Sequence, residues 1–221
     1  MKHIRAAICV VILLGSLPGT GLGGQAMEPV VAVHSISDTF KGQPCQFGPD
    51  DLGTPCSTFE VSRASHQVWW VYLTVVRADS ASGVGEFSIG MDRSLDMIAR
   101  WFLCADYEAP TGVWPGTGTG NRLSWDTPGN CQRTVIRSDG VYAVGGAIYI
   151  YAYGDEWMRV TANDAAGESA ILITDCSGVT TAVETPGGMM GFDNVEGFNP
   201  CLDDVPVTPS SWGRIKAQYQ R

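Results

Sequence analysis

The sequence predicts an all-β chain, an antiparallel β-sandwich of about nine strands with a short C-terminal helix. Three observations carry that prediction. Apolar residues alternate with period two along most of the chain, and helical spacing is almost absent. Turn signals built from Gly, Pro, Asn and Asp return at intervals of about 8–12 residues, and the 27 Gly and 12 Pro supply them. A content of 44% hydrophobic and 10% aromatic residues, with only 17% charged, gives enough apolar surface to offset chain entropy, which excludes a disordered polyelectrolyte.

Residues 1–26 form the first element and read as a cleaved export signal. Lys2 and Arg5 precede an apolar run from Ala6 to Leu14, Pro18 breaks it, and Gly24 and Ala26 give the small-x-small pattern of a cleavage site. The run is too short to span a bilayer, and no later window supplies about 20 apolar residues, so no transmembrane anchor is expected. Gly19, Gly21 and Gly24 spell G-x-G-x-x-G without the strand and helix a dinucleotide site requires. Cleavage would lower the formal charge from −9 to −11, because Lys2 and Arg5 leave with the signal. Such an acidic chain lacks the basic footprint of a nucleic-acid binder. The expected compartment is secreted, cell-surface or periplasmic.

Cleavage also removes Cys9 and leaves six cysteines: Cys45, Cys56, Cys104, Cys131, Cys176 and Cys201. In an exported chain an even number favours disulfides. Zinc is the rival, but there is no C-x-x-C pair, and His34 and His66 are far apart. Six cysteines allow 15 connectivities. Bridges between sequence neighbours, Cys45–Cys56, Cys104–Cys131 and Cys176–Cys201, are expected because each pair brackets a loop-like segment.

The strands follow in order at about Val30–Ser35, Phe59–Arg63, Val68–Val76, Val84–Met91, Met97–Cys104, Arg133–Arg137, Ala147–Tyr153, Glu156–Ala162 and Ala170–Asp175. In VWWVYLTVV the residues Trp69, Val71, Leu73 and Val75 make one apolar face, opposite Trp70, Tyr72 and Thr74. A turn at Asp79–Gly83 precedes a strand whose core face holds Phe87, Ile89 and Met91, and Gly154–Asp155 reads as a hairpin turn. Pro110–Asn130 reads as one long Gly/Thr/Pro-rich loop containing Trp114 and Trp125. With no internal repeat, one sandwich domain is expected over residues 27–183. Residues 184–221 read as a loop-rich acidic tail, ending in a helix over 210–221 with Trp212, Ile215 and Tyr219 on one side.

The aromatic residues are the leading functional candidates. In AIYIYAY, Ile148, Ile150 and Ala152 claim the core side, which leaves Tyr149, Tyr151 and Tyr153 facing outward. Trp70 and Tyr72 make a similar outward pair, and Trp157 aligns with Arg159 and Thr161. If these strands are neighbours, the outer face is an aromatic platform suited to a sugar ring or a protein partner. The alternative is that another segment of the chain covers the face.

The acidic residues offer weaker candidates. Asp193, Asn194, Glu196, Asp203 and Asp204 flank Cys201 with hard oxygens of the kind calcium takes, without a calcium-loop motif; a solvated acidic loop is the alternative. No other cofactor is expected. A glycan hydrolase would need paired carboxylates, for which Glu86, Asp92, Asp155 and Glu156 are available. No G-x-S-x-G, H-E-x-x-H or P-loop motif is present, and His34 and His66 read as solvated or cap histidines.

The segment from Val71 to Ile98 resembles the front half of a cohesin-type or carbohydrate-binding-module-type β-sandwich, through Gly83, Glu86, Phe87, Ile89 and Asp92. Cohesins generally lack this six-cysteine framework and tail. Over the mature chain, residues 27–221, the sequence is similar to a group of uncharacterised exported bacterial β-sandwich proteins. Asp175, Cys176 and a terminal segment with Ser211, Trp212, Gly213, Ile215, Lys216 and Tyr219 carry that likeness. The resemblance implies a cohesin-like, binding-module-like or jelly-roll-like fold. The expected function is an exported non-catalytic module that binds a glycan or a protein, with a glycan hydrolase or a purely structural envelope protein as alternatives.

Overall fold

A computed structural model describes residues 28–37, 44–46, 54–94, 96–136 and 139–202. Its strands are β1 (Val30–Ser37), β2 (Ser62–Arg63), β3 (Val68–Ala78), β4 (Glu86–Arg93), β5 (Ile98–Leu103), β6 (Tyr107–Thr111), β7 (Thr119–Ser124), β8 (Val141–Tyr151), β9 (Trp157–Thr161), β10 (Ile171–Thr174), β11 (Thr180–Val183) and β12 (Met189–Phe192). The remaining regular structure is short 3-10 turns, and no helix among the described residues is long and apolar enough to cross a membrane. The expected signal at 1–26 and the expected helix at 210–221 lie outside the described residues.

Two sheets form the sandwich. The first has the order β1-β3-β8-β5, antiparallel throughout. The second runs β11-β10-β4-β9-β12-β2, with β7 and then β6 added on a further edge of β4. Its one parallel pairing among the described strands is β12 with β2. The alternation read from the sequence sets the core. Val71, Leu73, Val75, Ile148 and Ile150 from the first sheet meet Phe87, Ile89, Met91, Leu123, Met158 and Val160 from the second, all essentially inaccessible to solvent. A residue is skipped between Leu73 and Thr74 in the β3–β8 register, a bulge at Gly145. A Cβ there would strike the Phe87 ring, and one at Gly146 would enter the Trp101 indole, so both positions need glycine for close approach.

The second sheet has an interrupted edge. One side of β4 pairs with β7, while the other takes β10 over Glu86–Ser88 and β9 over Gly90–Arg93. Strands β9 and β10 therefore share one track, broken by an excursion over 162–170. Asn163 caps the 3-10 turn Asp164–Ala166, and its Nδ2 donates to Ser88 Oγ at 3.1 Å, seating the excursion on the sheet's outer surface.

Several expectations change. Of the strand expected over Arg133–Arg137, the described residues up to Ile136 supply a single isolated bridge, Val135 with Val141, and β2 is two residues long. The expected loop Pro110–Asn130 contains β7 and the end of β6. Pro110 lacks an N–H for a ladder, but β6 is an edge strand and needs none on its free side. The stretch 184–202, expected as an acidic tail, belongs to the sandwich. β12 pairs with β9, Met190 and Phe192 are fully buried, and Gly188 donates to Val31 O while accepting from Val160 N, joining the two sheets.

The six cysteines among the described residues are all bridged, as expected, but not between sequence neighbours. The pairs are Cys45–Cys104, Cys56–Cys201 and Cys131–Cys176, with Cα separations of 5.1, 5.7 and 5.8 Å. Each bridge ties distant segments, because antiparallel pairing brings residues far apart in sequence to the same end of the sandwich. The second spans 145 residues and locks the described end of the chain beside Cys56.

Candidate functional site

The outer face of the first sheet can be written as rows across its strands. The register gives a row His34–Tyr72–Ala147–Phe102, then Ile36–Trp70–Tyr149–Arg100, then Val68–Tyr151–Ile98. Successive rows lie about 6.6 Å apart, two residues along a strand. Aromatic residues thus come together across β3, β8 and β5, as the sequence implied for β3 and β8. Trp70 sits between its neighbours, with ring centroids 5.0 Å from Phe102 and 4.8 Å from Tyr149, both edge-on.

One end of this face is covered. The Pro44–Gln46 turn crosses it, tied down by Cys45–Cys104, and Tyr72 donates its hydroxyl to Pro44 O at 3.0 Å. Phe59 stacks on His34 with centroids 4.7 Å apart. His34 is consequently buried, not solvated; its Nδ1 accepts from Glu60 N, and burial, then the nearby Arg63 charge, lowers its pKa to about 4. Trp70 is 2% exposed and Tyr72 is fully buried, which corrects the expectation that both face solvent. The cause is the covering segment, which no alternation within a strand reveals.

Among the described residues, nothing covers the other end. Tyr149 and Tyr151 are half-buried, Tyr153 is 49% exposed and Ile98 is 55% exposed. The Tyr151 and Tyr153 rings meet edge-on at 4.9 Å. Arg100 is exposed, with its guanidinium 5.3 Å from the centre of the Phe102 ring. Trp157 does not join this surface: it belongs to β9 in the second sheet, beneath Arg159. Ile98, Arg100 and Phe102 were missed as site residues, although their alternation with Ala99, Trp101 and Leu103 is visible in the sequence. That pattern gives two faces but not which strand stands beside which.

The carboxylates named from the sequence are not assembled. Glu86 and Asp92 point from the same face of β4 but six residues apart, roughly 20 Å along the strand. Asp92 pairs with Arg159 at 3.1 Å, Asp155 accepts from Asn194, and buried Glu156 accepts from Tyr153 N. Glu86 has a different companion, Glu168, and the Arg122 guanidinium stands between them at 3.5 and 2.8 Å. Burial raises the Glu86 carboxyl above its ordinary value, with Arg122 opposing and Glu168 adding to the shift. The cation fills the space a scissile bond would need. A cavity of about 200 Å³ places Asp79 and Asp175 on one lining, yet hydrogen bonds, chiefly from backbone N–H groups at Asp79 and from the Ser177 hydroxyl at Asp175, hold both carboxyls below their usual range. Neither is poised as a general acid.

Two of the calcium candidates are used in loop closure, and Glu196 is exposed. Asp193 accepts from Ser65 N, and Asn194 donates to Asp155; Asp203 and Asp204 lie outside the described residues. Among the described residues, no three His, Cys, Asp or Glu side chains are grouped as metal ligands. The tryptophans of the expected loop pack inward. Trp125 is buried near Phe87, and Trp114 meets Trp101 edge-on at 5.5 Å. Trp101 Nε1 and Asn121 Nδ2 both donate to Glu108 Oε2 at 2.8 Å, which closes the β5–β6 side of the sandwich with a polar clasp.

No family model matches this chain, and no curated protein matches it. Among solved structures, a cohesin module from the Clostridium perfringens ATCC13124 family 33 glycoside hydrolase matches at 12% identity and a TM-score of 0.42, covering 61% of this chain and 91% of that one. No functional residue is carried over from it, and the site rests on this chain's own geometry.

Proposed function

We propose that this chain is an exported, non-catalytic binding module that recognises a glycan through the open end of its aromatic face. The observation that carries this is the strip of exposed Tyr153 and Ile98 with half-buried Tyr149 and Tyr151, on a sheet whose other end is closed. Phenol rings offer flat apolar area with a polar tip, the combination a pyranose ring takes. The strip is narrow, bounded by the Pro44–Gln46 turn, a strap across the face, on one side and the sheet edge on the other. A specific protein partner buries about 800 Å² on each side, more than a few side chains on two strands present, so a small ligand is favoured over a protein. Six bridged cysteines and the signal-like residues 1–26 support an oxidising compartment.

A glycan array probed with the disulfide-bonded protein tests this. Binding to one sugar class, weakened about tenfold by Tyr151→Ala, is expected. Absence of any glycan hit, or equal binding by Tyr151→Ala, overturns it.

A further inference from the structure

Arginines are the informative group for ligand charge. Among the described residues, Arg63, Arg77, Arg93, Arg122, Arg133 and Arg159 each donate a hydrogen bond or form an ion pair. Arg100 alone has neither, and only the Phe102 ring supports its guanidinium. This is not for want of carboxylates, since the chain carries 23 Asp+Glu against 14 Lys+Arg. The three rows of the face contain no acidic residue at all. A second donor in the same row also lacks an acceptor: Trp70 Nε1 is buried without a partner among the described residues. A guanidinium stacked on an aromatic ring is held in place while its planar donor edge stays free, the arrangement that receives a carboxylate or sulfate with two parallel hydrogen bonds.

From this juxtaposition we infer that the ligand of the open face is an anionic glycan, whose carboxylate or sulfate pairs with Arg100 while a sugar ring lies on Tyr151. The inference rests on the glycan-binding proposal above and adds the charge of the sugar. In an acidic protein a cation kept free of internal partners is a local attraction for an anion, and the surrounding negative charge disfavours non-specific anion binding elsewhere. Phe102 and the strap set the guanidinium at the boundary between the closed and open ends, so the ligand would run from that boundary toward Tyr153.

The test uses an array of carboxylated, sulfated and neutral oligosaccharides, followed by titration of a uronic-acid oligosaccharide and its methyl ester, which keeps the ring and removes the charge. Binding confined to the carboxylated or sulfated members is expected, and which arm responds identifies the anion. For the binding acid, Arg100→Gln is expected to weaken affinity at least tenfold, Arg100→Lys less, and added salt to weaken it further. Because Arg100 is exposed, an unchanged melting temperature will show that the variants fold. Preference for neutral sugars, or full affinity in Arg100→Gln with loss in Tyr151→Ala, overturns the anionic inference and leaves the aromatic site standing. Absence of any sugar hit in all three classes overturns both.

Discussion

Tyr72 and Tyr151 stand on neighbouring strands of one sheet face, each two residues from a member of the same Trp70–Tyr149 pair, yet Tyr72 is fully buried and Tyr151 only half-buried. The strands do not cause the difference, because both residues occupy outward positions in the Val68–Leu73 stretch of the β3–β8 ladder, which carries no register shift. The strap at Pro44–Gln46, its bridge from Cys45 to Cys104, and Phe59 make one end an interior and leave the other a surface. A face that is chemically uniform in sequence becomes two environments through a crossing segment. The open end is then the place where aromatic area is retained without an internal use.

Removing the strap's anchor should break this comparison most severely. The Cys45–Cys104 bridge closes a separation of 59 residues, for which chain entropy alone gives about 4 kcal/mol. A Cys45→Ala/Cys104→Ala variant should melt well below the parent and bind a hydrophobic dye on the newly accessible Tyr72 end. An unchanged melting temperature and no added dye binding would mean that the cover holds without the bridge.

The next effect separates the two ends by pH. His34 belongs to the closed end, and its folded pKa of about 4 lies below the unfolded value of 6.5. Between those values the unfolded chain binds more protons, so stability is complete above 6.5 and declines as pH falls toward 4. The full loss is roughly 3 kcal/mol. Denaturant titrations of the parent and His34→Gln should therefore diverge from constant difference over that window. The carboxyls lowered by hydrogen bonding, at Asp79, Asp175 and Asp193, titrate equally in both proteins and cancel. Parallel curves from pH 7 to 4 would show that His34 is protonated freely in the fold.

How much of this was legible follows from what alternation contains. Core faces of β3, β4 and β8 were readable because period two sorts side chains whatever the strand's neighbours are. Strand β12 was hidden because MMGF is short, holds a glycine and sits among prolines, and β7 because TGNRLS is poor in β-formers. Their strand character comes from neighbours supplying ladder partners. Disulfide pairing was unreadable for a related reason: Cys56 and Cys201 stand 145 residues apart in sequence and are neighbours only through the tertiary fold. The tyrosine row was visible in AIYIYAY. Arg100, which completes the candidate site, was not, because its position beside Tyr149 depends on β5 pairing with β8.

A smaller effect sharpens the contrast between the hydroxyls of the two ends. Tyr72→Phe removes the hydrogen bond to Pro44 O and strands a carbonyl beneath the strap, costing about 1 kcal/mol. Tyr151→Phe should change stability by less than about 0.5 kcal/mol, since its position is partly exposed. Equal losses by chemical denaturation would mean that the strap contact does not distinguish them.

The smallest stability effects, and the most informative for binding, come from Tyr151 and Tyr153 together. Their edge-on contact at 4.9 Å couples the two rings, so the residues should not act independently. Each alanine variant alone should leave the melting temperature nearly unchanged, because neither ring is part of the core. Against the sugar class found on the array, Tyr153→Ala should weaken binding less than Tyr151→Ala, since Tyr153 lies past the end of β8 while Tyr151 is fixed within it. If Tyr153 acts mainly by bracing Tyr151, the double variant will lose little more than Tyr151→Ala. Fully additive losses would instead make Tyr153 a separate contact, extending the ligand beyond the sheet edge.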